Sequence, residues 1–150
     1  MEEVQLDRLD RNILTALARD GRISMAELAA KVGLSKTPVQ ARVKRLERDG
    51  FIRGYAAIID RERMGEGHVA FVQVKLSDTR SAALDAFNRA VLSVSEIEQC
   101  HMIASNFDYL LKVRTKDIAA YRRVLGERIS ALPHVAQTST YVAMETVKDR

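Results

Sequence analysis

"GLSKTPVQARVKRLERDG", residues 33–50, decides how the first third of the chain folds. Five positive charges meet two negative ones in this stretch, behind a glycine, a serine and a proline. Gly33 suits a tight corner between two helices, because such a corner needs a residue that tolerates positive φ, and Leu34 can tuck beneath it. Ser35 starts the next helix. Pro38 is tolerated in its first turn, where the missing N–H has no intrahelical partner, and it discourages Thr37 from helical geometry, so the cap falls on Ser35 or Thr37. At about 100° per residue, Val39, Val43 and Leu46 share one stripe. Thr37, Ala41, Lys44, Arg45 and Arg48 lie opposite, with Gln40 and Arg42 on the flanks.

Upstream, two more helices are predicted. Asp7 caps the first, whose Leu9, Ile13, Leu14 and Leu17 keep helical spacing until Asp20-Gly21 stops it. Ser24 caps the second, and Glu27, three residues on, completes a capping-box pattern ahead of Leu28, Ala29 and Val32. A charged helix is commonly just a solvated face. Here a preceding helix, the small Ala29 four positions before the corner, and the Gly33 corner itself favour a helix-turn-helix, whose small and basic outer face must enter a groove lined with phosphates.

Beyond Gly50 the period changes. Phe51 to Ile59 looks like a strand, and the charged, glycine-marked stretch Asp60 to Gly67 reads as a hinge. His68 to Leu76 is a strand with Ala70, Val72, Val74 and Leu76 on one face and Val69, Phe71, Gln73 and Lys75 on the other. Leu84, Phe87 and Val91 mark a helix. Ile97 to Ala104 and Phe107 to Arg114 read as two strands joined by the short turn Ser105-Asn106. Asp117 caps a last helix with Ile118, Tyr121, Leu125, Ile129 and Leu132 inward, ended by Pro133, and Val135 to Val147 forms the closing strand. The class is therefore α+β, with residues 1–50 as a DNA-binding helix-turn-helix domain, 51–67 as strand and hinge linker, and 68–150 as a βαββαβ ferredoxin-like domain. Helices on one sheet face leave Phe71, Leu110 and Tyr141 on the other, which predicts sheet-to-sheet dimerisation.

Composition sets bounds on function. The 150 residues are 47% hydrophobic and 29% charged, a globular balance. A net charge of +4 permits an anionic partner such as nucleic acid. No apolar run reaches the roughly 18 residues of a membrane span, and the acidic start Met1-Glu2-Glu3 is the opposite of a secretory leader, so a cytoplasmic protein is expected. The lone Cys100 excludes an intrachain disulfide and any multi-cysteine zinc site. His68, His101 and His134 are scattered, and Cys100 and His101 point to opposite faces of a strand, so no metal site is expected. Gly65-Glu66-Gly67 lacks the Lys-Ser/Thr of a phosphate loop. An enzyme is not expected.

"LDRLDRNILTALARDGRIS", "ELAAKVGLSKTPVQARVKRLERDGFIRGY", "FDYLLKVRTKDIAAYRRVL" and "LPHVAQTSTYVAMETVK" follow in an order and spacing that resembles the Lrp/AsnC family of transcriptional regulators, the leucine-responsive branch above all. The resemblance covers nearly the whole chain. It implies a winged-type helix-turn-helix and a C-terminal amino-acid-sensing domain that dimerises through its sheet, with dimers assembling into octameric discs. It places the recognition helix on Ser35 to Arg48, with Lys36, Thr37, Gln40, Ala41 and Lys44 near the bases and Arg45 and Arg48 on phosphates. Arg42 matches the family's "RV" pair and serves either DNA or a salt bridge.

By the same resemblance, the loop Ser105-Asn106-Phe107-Asp108 holds an amino-acid effector, leucine by default, with proline, alanine and other small amino acids open. Asp108 matches the family's aspartate, free either to bind the ligand ammonium or to hold the turn. Ser105 stands where the family has glycine, which changes how closely backbone amides can approach a ligand carboxylate. Met102, Ile103, Tyr141 and Val142 match the pocket wall, although each could equally be plain packing. No cofactor is implied. The alternative function is a ligand-independent architectural DNA binder, in which the serine has silenced the sensor.

Overall fold

Asp7, Ser24 and Ser35 each open a helix, and together those helices form the first of two compact units, Met1–Ile58 and Ile59–Arg150. The protein is seen here as a computed structural model that describes residues 5–149; the acidic start Met1-Glu2-Glu3 lies outside them. Helix α1, Arg8–Arg19, begins in a reciprocal capping box: Asp10 N donates to Asp7 Oδ1 at 2.7 Å and Asp7 N donates to Asp10 Oδ2 at 3.2 Å. Helix α2, Met25–Val32, repeats the device with Ser24 and Glu27. It ends at Gly33, whose φ of 74° is the left-handed conformation a side chain resists. Helix α3, Lys36–Arg48, takes Ser35 as its cap, though the serine side chain makes no capping bond, and Thr37 is helical in spite of Pro38. Ile13, Leu17, Leu28, Ala29, Val39, Val43 and Leu46 form the core of this unit, and Ala29 lets α2 close on its neighbours.

The strand expected over Phe51–Ile59 is absent. Its aromatic and β-branched residues favour a strand, but a strand exists only when another backbone pairs its N–H and C=O groups, and no described strand pairs with it. Phe51, Tyr55, Ile58 and Ile59 remain exposed. Residues 61–65 form a hydrogen-bonded turn closed by Glu66 N donating to Arg61 O at 2.9 Å.

The second unit runs β1 His68–Leu76, α4 Ser81–Val91, β2 Ile97–Met102, β3 Tyr109–Thr115, α5 Ile118–Val124 and β4 Val135–Val142. The four strands pair antiparallel in the order β2-β3-β1-β4. Both helices lie on one face, where Ala70, Val72, Val74, Phe87, Leu111, Val113, Tyr121 and Ile129 make a continuous core. The expected βαββαβ order holds, with several corrections of extent. Strand β4 stops at Val142 rather than Val147 because β1, its only ladder partner among the described residues, runs out at His68. Strand β2 stops at Met102 and β3 starts at Tyr109, so the turn between them is a six-residue loop, 103–108, rather than a tight hairpin.

Ile118, expected inward, is 58% exposed. The core stripe Tyr121-Leu125-Ile129 advances four residues at a time, which outruns a period of about 3.6. The chain absorbs the difference as a π-helical turn over Leu125–Ile129, closed by Ser130 N donating to Leu125 O, and the helix ends before Leu132. The outer face of the sheet is only partly bare. Phe71 and Tyr141 are exposed there, 38% and 55%, and Leu110 is half-buried. Yet Val69 and Lys112, also on that side, are buried, and Lys112 Nζ reaches Asp149 Oδ1 at 2.5 Å and Glu98 at 3.6 Å. The segment after β4 therefore returns across the outer face.

Candidate nucleic-acid interface and effector loop

Helix α3 sorts its residues as the sequence predicts. Val39, Val43 and Leu46 are buried, while Lys36, Thr37, Gln40, Ala41, Lys44 and Arg48 are exposed, as is the cap residue Ser35. Thr37, Ala41, Lys44 and Arg48 point directly away from the core, with Gln40 to one side. Arg48 donates from Nε to Asp49 at 2.9 Å but keeps most of its side chain in solvent.

Arg42 and Arg45 are different. Arg42 Nη1 lies 2.7 Å from Asp7 Oδ2 and 2.8 Å from Asp10 Oδ1, which settles its two readings in favour of the salt bridge. Arg45, expected on a phosphate, instead lies 2.5 Å from Asp10 Oδ2 through Nη2. Asp10 is 1% exposed. A buried carboxylate demands cationic partners, and α3 supplies both of them one turn apart. For Asp7, the Asp10 amide and then Arg42 hold the carboxyl below the usual range. Burial alone would push the Asp10 carboxyl up, but Arg42, the Asp7 amide and Arg45 outweigh it and the net direction is down. Sequence reading missed this cluster, since Asp7 and Asp10 look like ordinary first-turn acids until α3 is placed against them.

On the other flank of α3, the Tyr55 hydroxyl donates to Glu47 at 2.8 Å, and burial followed by that carboxylate pushes the phenol up to about 12. Its ring sits so near the α1–α2 turn that a Cβ at Gly21 would be 3.6 Å away. Met25, Gln40, Val43, Lys44, Glu47 and Tyr55 line a shallow cleft of about 330 Å³ beside the exposed face.

In the second unit the loop 103–108 is held from both ends. Ile103 N donates to Asp108 O, and Asp108 N to Val74 O, both at 2.9 Å. Asp108 Oδ2 accepts from Leu76 N at 2.7 Å, where the pairing of β1 with β4 shifts register. The carboxylate thus does hold the turn, with Oδ1 making no hydrogen bond among the described residues. Ser105 Oγ donates to Asn106 Oδ1 at 3.1 Å. Asn106 and Phe107 overhang a groove of about 170 Å³ on the outer sheet face, with Gln73, Lys75, Gln137 and Ser139 beneath. Met102, Ile103 and Ser105 to Asp108 are therefore brought together. Tyr141 and Val142 are not: they pair with Phe71 and Ala70, toward the other end of β1 from Val74 and Leu76.

Among the described residues, no helix is long and apolar enough to cross a membrane, and no group of three or more His, Cys, Asp or Glu is placed to hold a metal ion. Residues 6–53 match the model of a winged helix-turn-helix DNA-binding domain, and residues 69–150 that of the Lrp/AsnC ligand binding domain. A protein named proline dehydrogenase transcriptional activator, from Rhizobium radiobacter, is 57% identical over 96% of this chain and 92% of its own. The leucine-responsive regulatory protein of Salmonella typhimurium is 49% identical over 95% of this chain and 87% of its own. Among solved structures, an AsnC family transcriptional regulator from Agrobacterium tumefaciens superposes with a TM-score of 0.90 at 34% identity, over 96% of this chain and 94% of its own. A regulator from Neisseria meningitidis in complex with L-Met gives the same TM-score at 28% identity, over 97% and 94% of the two chains.

The depressed carboxyls of Asp7 and Asp10 carry a sign. A group whose folded value lies below its unfolded one stabilises the fold above the unfolded value, about 4, and loses that contribution as pH falls toward the folded one. Thermal melting followed by helical ellipticity should weaken from about pH 5 to pH 3, and Arg42→Gln should flatten that fall; an equal fall in the variant would locate the acid sensitivity elsewhere.

Proposed function

The chain belongs to the Lrp/AsnC family of transcriptional regulators, and on that premise we propose that it binds duplex DNA through α3 while a small amino acid at the 103–108 loop sets that binding. The observation that carries the reading is the division of α3. Its apolar stripe is buried, and Lys36, Thr37, Gln40, Ala41, Lys44 and Arg48 are left facing outward with nothing of the first unit over them. Gln40 suits the paired donor and acceptor of adenine and Lys44 the acceptors of guanine, while Arg48 suits a phosphate. Such a protein acts where the DNA is, in the cytoplasm of a bacterial cell. It performs no catalysis.

The effector reading rests on the loop. Asp108 Oδ1 is available for an ammonium group, Lys75 stands in the groove for a carboxylate, and Phe107 supplies an apolar wall. Proline and leucine come first among the candidates, a choice supported by the names of two relatives, a proline dehydrogenase transcriptional activator and a leucine-responsive regulatory protein. Tyr141 and Val142 lie too far along β4 to join the loop of their own chain. Tyr141 serves with Phe71 instead as the apolar part of a face on which a second copy packs, giving a homodimer, with octamers of four dimers as the larger assembly, while Val142, paired with Ala70, lies on the helix-covered side.

Lys44→Ala should weaken DNA binding by about 1–3 kcal/mol without altering assembly; full affinity at moderate salt removes that side chain from the contact set. Melting against the twenty amino acids at millimolar concentration should rise with one or a few of them by linkage. No rise with any of them favours the architectural reading, with Ser105 as the residue to revert to glycine. Sedimentation should give a dimer or larger at micromolar concentration, and a stable monomer would remove the sheet-face interface.

A further inference from the structure

Helix α3 carries five cations, Lys36, Arg42, Lys44, Arg45 and Arg48, but two of them are not available to a ligand as the fold stands. We propose that Asp10, with Asp7, is a specificity-determining residue that holds Arg42 and Arg45 against α1, so that α3 meets DNA with Lys36, Lys44 and Arg48 alone. The inference rests on the DNA-binding reading and adds to it a device that suppresses sequence-independent attraction.

The geometry distinguishes this from an ordinary surface ion pair. Two carboxylates face two guanidiniums, so the cluster is neutral, and its centre, Asp10, is 1% exposed. Arg42 is hydrogen-bonded to both acids. Arg45 is held at one point only: its Nη2 lies 2.5 Å from Asp10 Oδ2, while its Nε is buried without a hydrogen-bond partner. A guanidinium with unused donors is a strong phosphate ligand once released, because it offers a planar fork to paired oxygens. It projects from the side of α3 next to the groove-facing arc, one residue from Lys44 and three from Arg48.

Phosphate contacts raise affinity for every sequence alike, whereas contacts with base edges discriminate. Specificity is a difference between affinities, so silencing two phosphate-seeking arginines lowers the background against which Thr37, Gln40 and Lys44 read bases. Lysine at either position would be a poorer choice, since a point charge on a flexible stem does not lie flat across two carboxylates. Asp7, half in solvent, closes the cluster on the side toward Arg42 and leaves Arg45 dependent on Asp10 alone.

The test is the salt dependence of binding to a mixed-sequence 40-base-pair duplex, read by fluorescence anisotropy between about 50 and 200 mM KCl, where each neutralised phosphate contributes roughly 0.9 to the slope of log K against log salt. Arg45→Gln leaves Asp10 paired with Arg42, and should keep the slope of the unsubstituted chain. Asp10→Asn should steepen it by about one to two contacts' worth, roughly 0.9–1.8. Where Asp10→Asn loses its helical ellipticity, Arg42→Gln joins Arg45→Gln as the test, and it too should keep the slope because Asp10 still holds Arg45. A slope lowered by about 0.9 in either arginine variant, or an unchanged slope in a folded Asp10→Asn, overturns the proposal. Failure of the unsubstituted chain to bind the duplex even at low salt is a different result: it removes the DNA-binding reading itself, and this device with it.

Discussion

A single buried carboxylate organises the N-terminal unit. Asp10 belongs to α1 by its capping box and to α3 by its two arginines, and it is too deeply placed to be neutralised by water. The first turn of α1 and the middle of α3 must therefore meet, which fixes how α3 rotates about its own axis. With Arg42 turned toward α1, and Val39, Val43 and Leu46 turned into the core, only one arc of the helix remains for anything outside. The hydrophobic stripe alone would allow some rolling of α3, because apolar packing is non-directional. The charge cluster is directional, and it sets the small residues Thr37 and Ala41 at the centre of the exposed arc. Small side chains there are what a close approach to a groove requires.

The second unit depends on β1. It is paired on both sides, carries four core residues at alternate positions, and is interrupted at Lys75/Leu76. At that interruption the Leu76 amide is taken by the Asp108 carboxylate, so an irregularity in the central strand and the shape of the 103–108 loop are the same structural fact. A ligand that recruits Asp108 acts directly on the backbone of the middle strand. On the outer face, Lys112, Arg114, Glu98 and Asp149 form a second charge network, with Arg114 Nε 2.6 Å from Glu98 and Lys112 buried under the segment that follows β4. The outer face is thus divided into an apolar part around Phe71 and Tyr141 and a charged part around β2 and β3.

Local chemistry was legible in the sequence wherever it is complete within a few residues. The caps at Asp7, Ser24 and Asp117, the left-handed Gly33 and the alternation of β1 all follow from side chains acting on their own backbone. Phe51 to Ile59 was misread because strand formation is not a local property, and that segment has no described partner. Ile118 is exposed because it opens the helix three residues before Tyr121, about 60° off the buried stripe. Arg45 was assigned to phosphate because it sits on the polar side of α3, and its carboxylate partner lies 35 residues away. Tyr141 and Val142 were grouped with the loop on family pattern alone. Strand register, which period-2 alternation does not determine, puts them at the other end of the sheet.

The central claim is that α3, oriented by Asp10, is the surface that meets DNA. Hydrogen–deuterium exchange of the whole chain, compared with and without saturating duplex DNA, reads that surface without requiring a substitution. Slowed exchange is expected in peptides covering residues 34–48, with the sheet amides of β1 and β3 unchanged. Slowing confined to the second unit, with α3 exchanging as in the free protein, would contradict it.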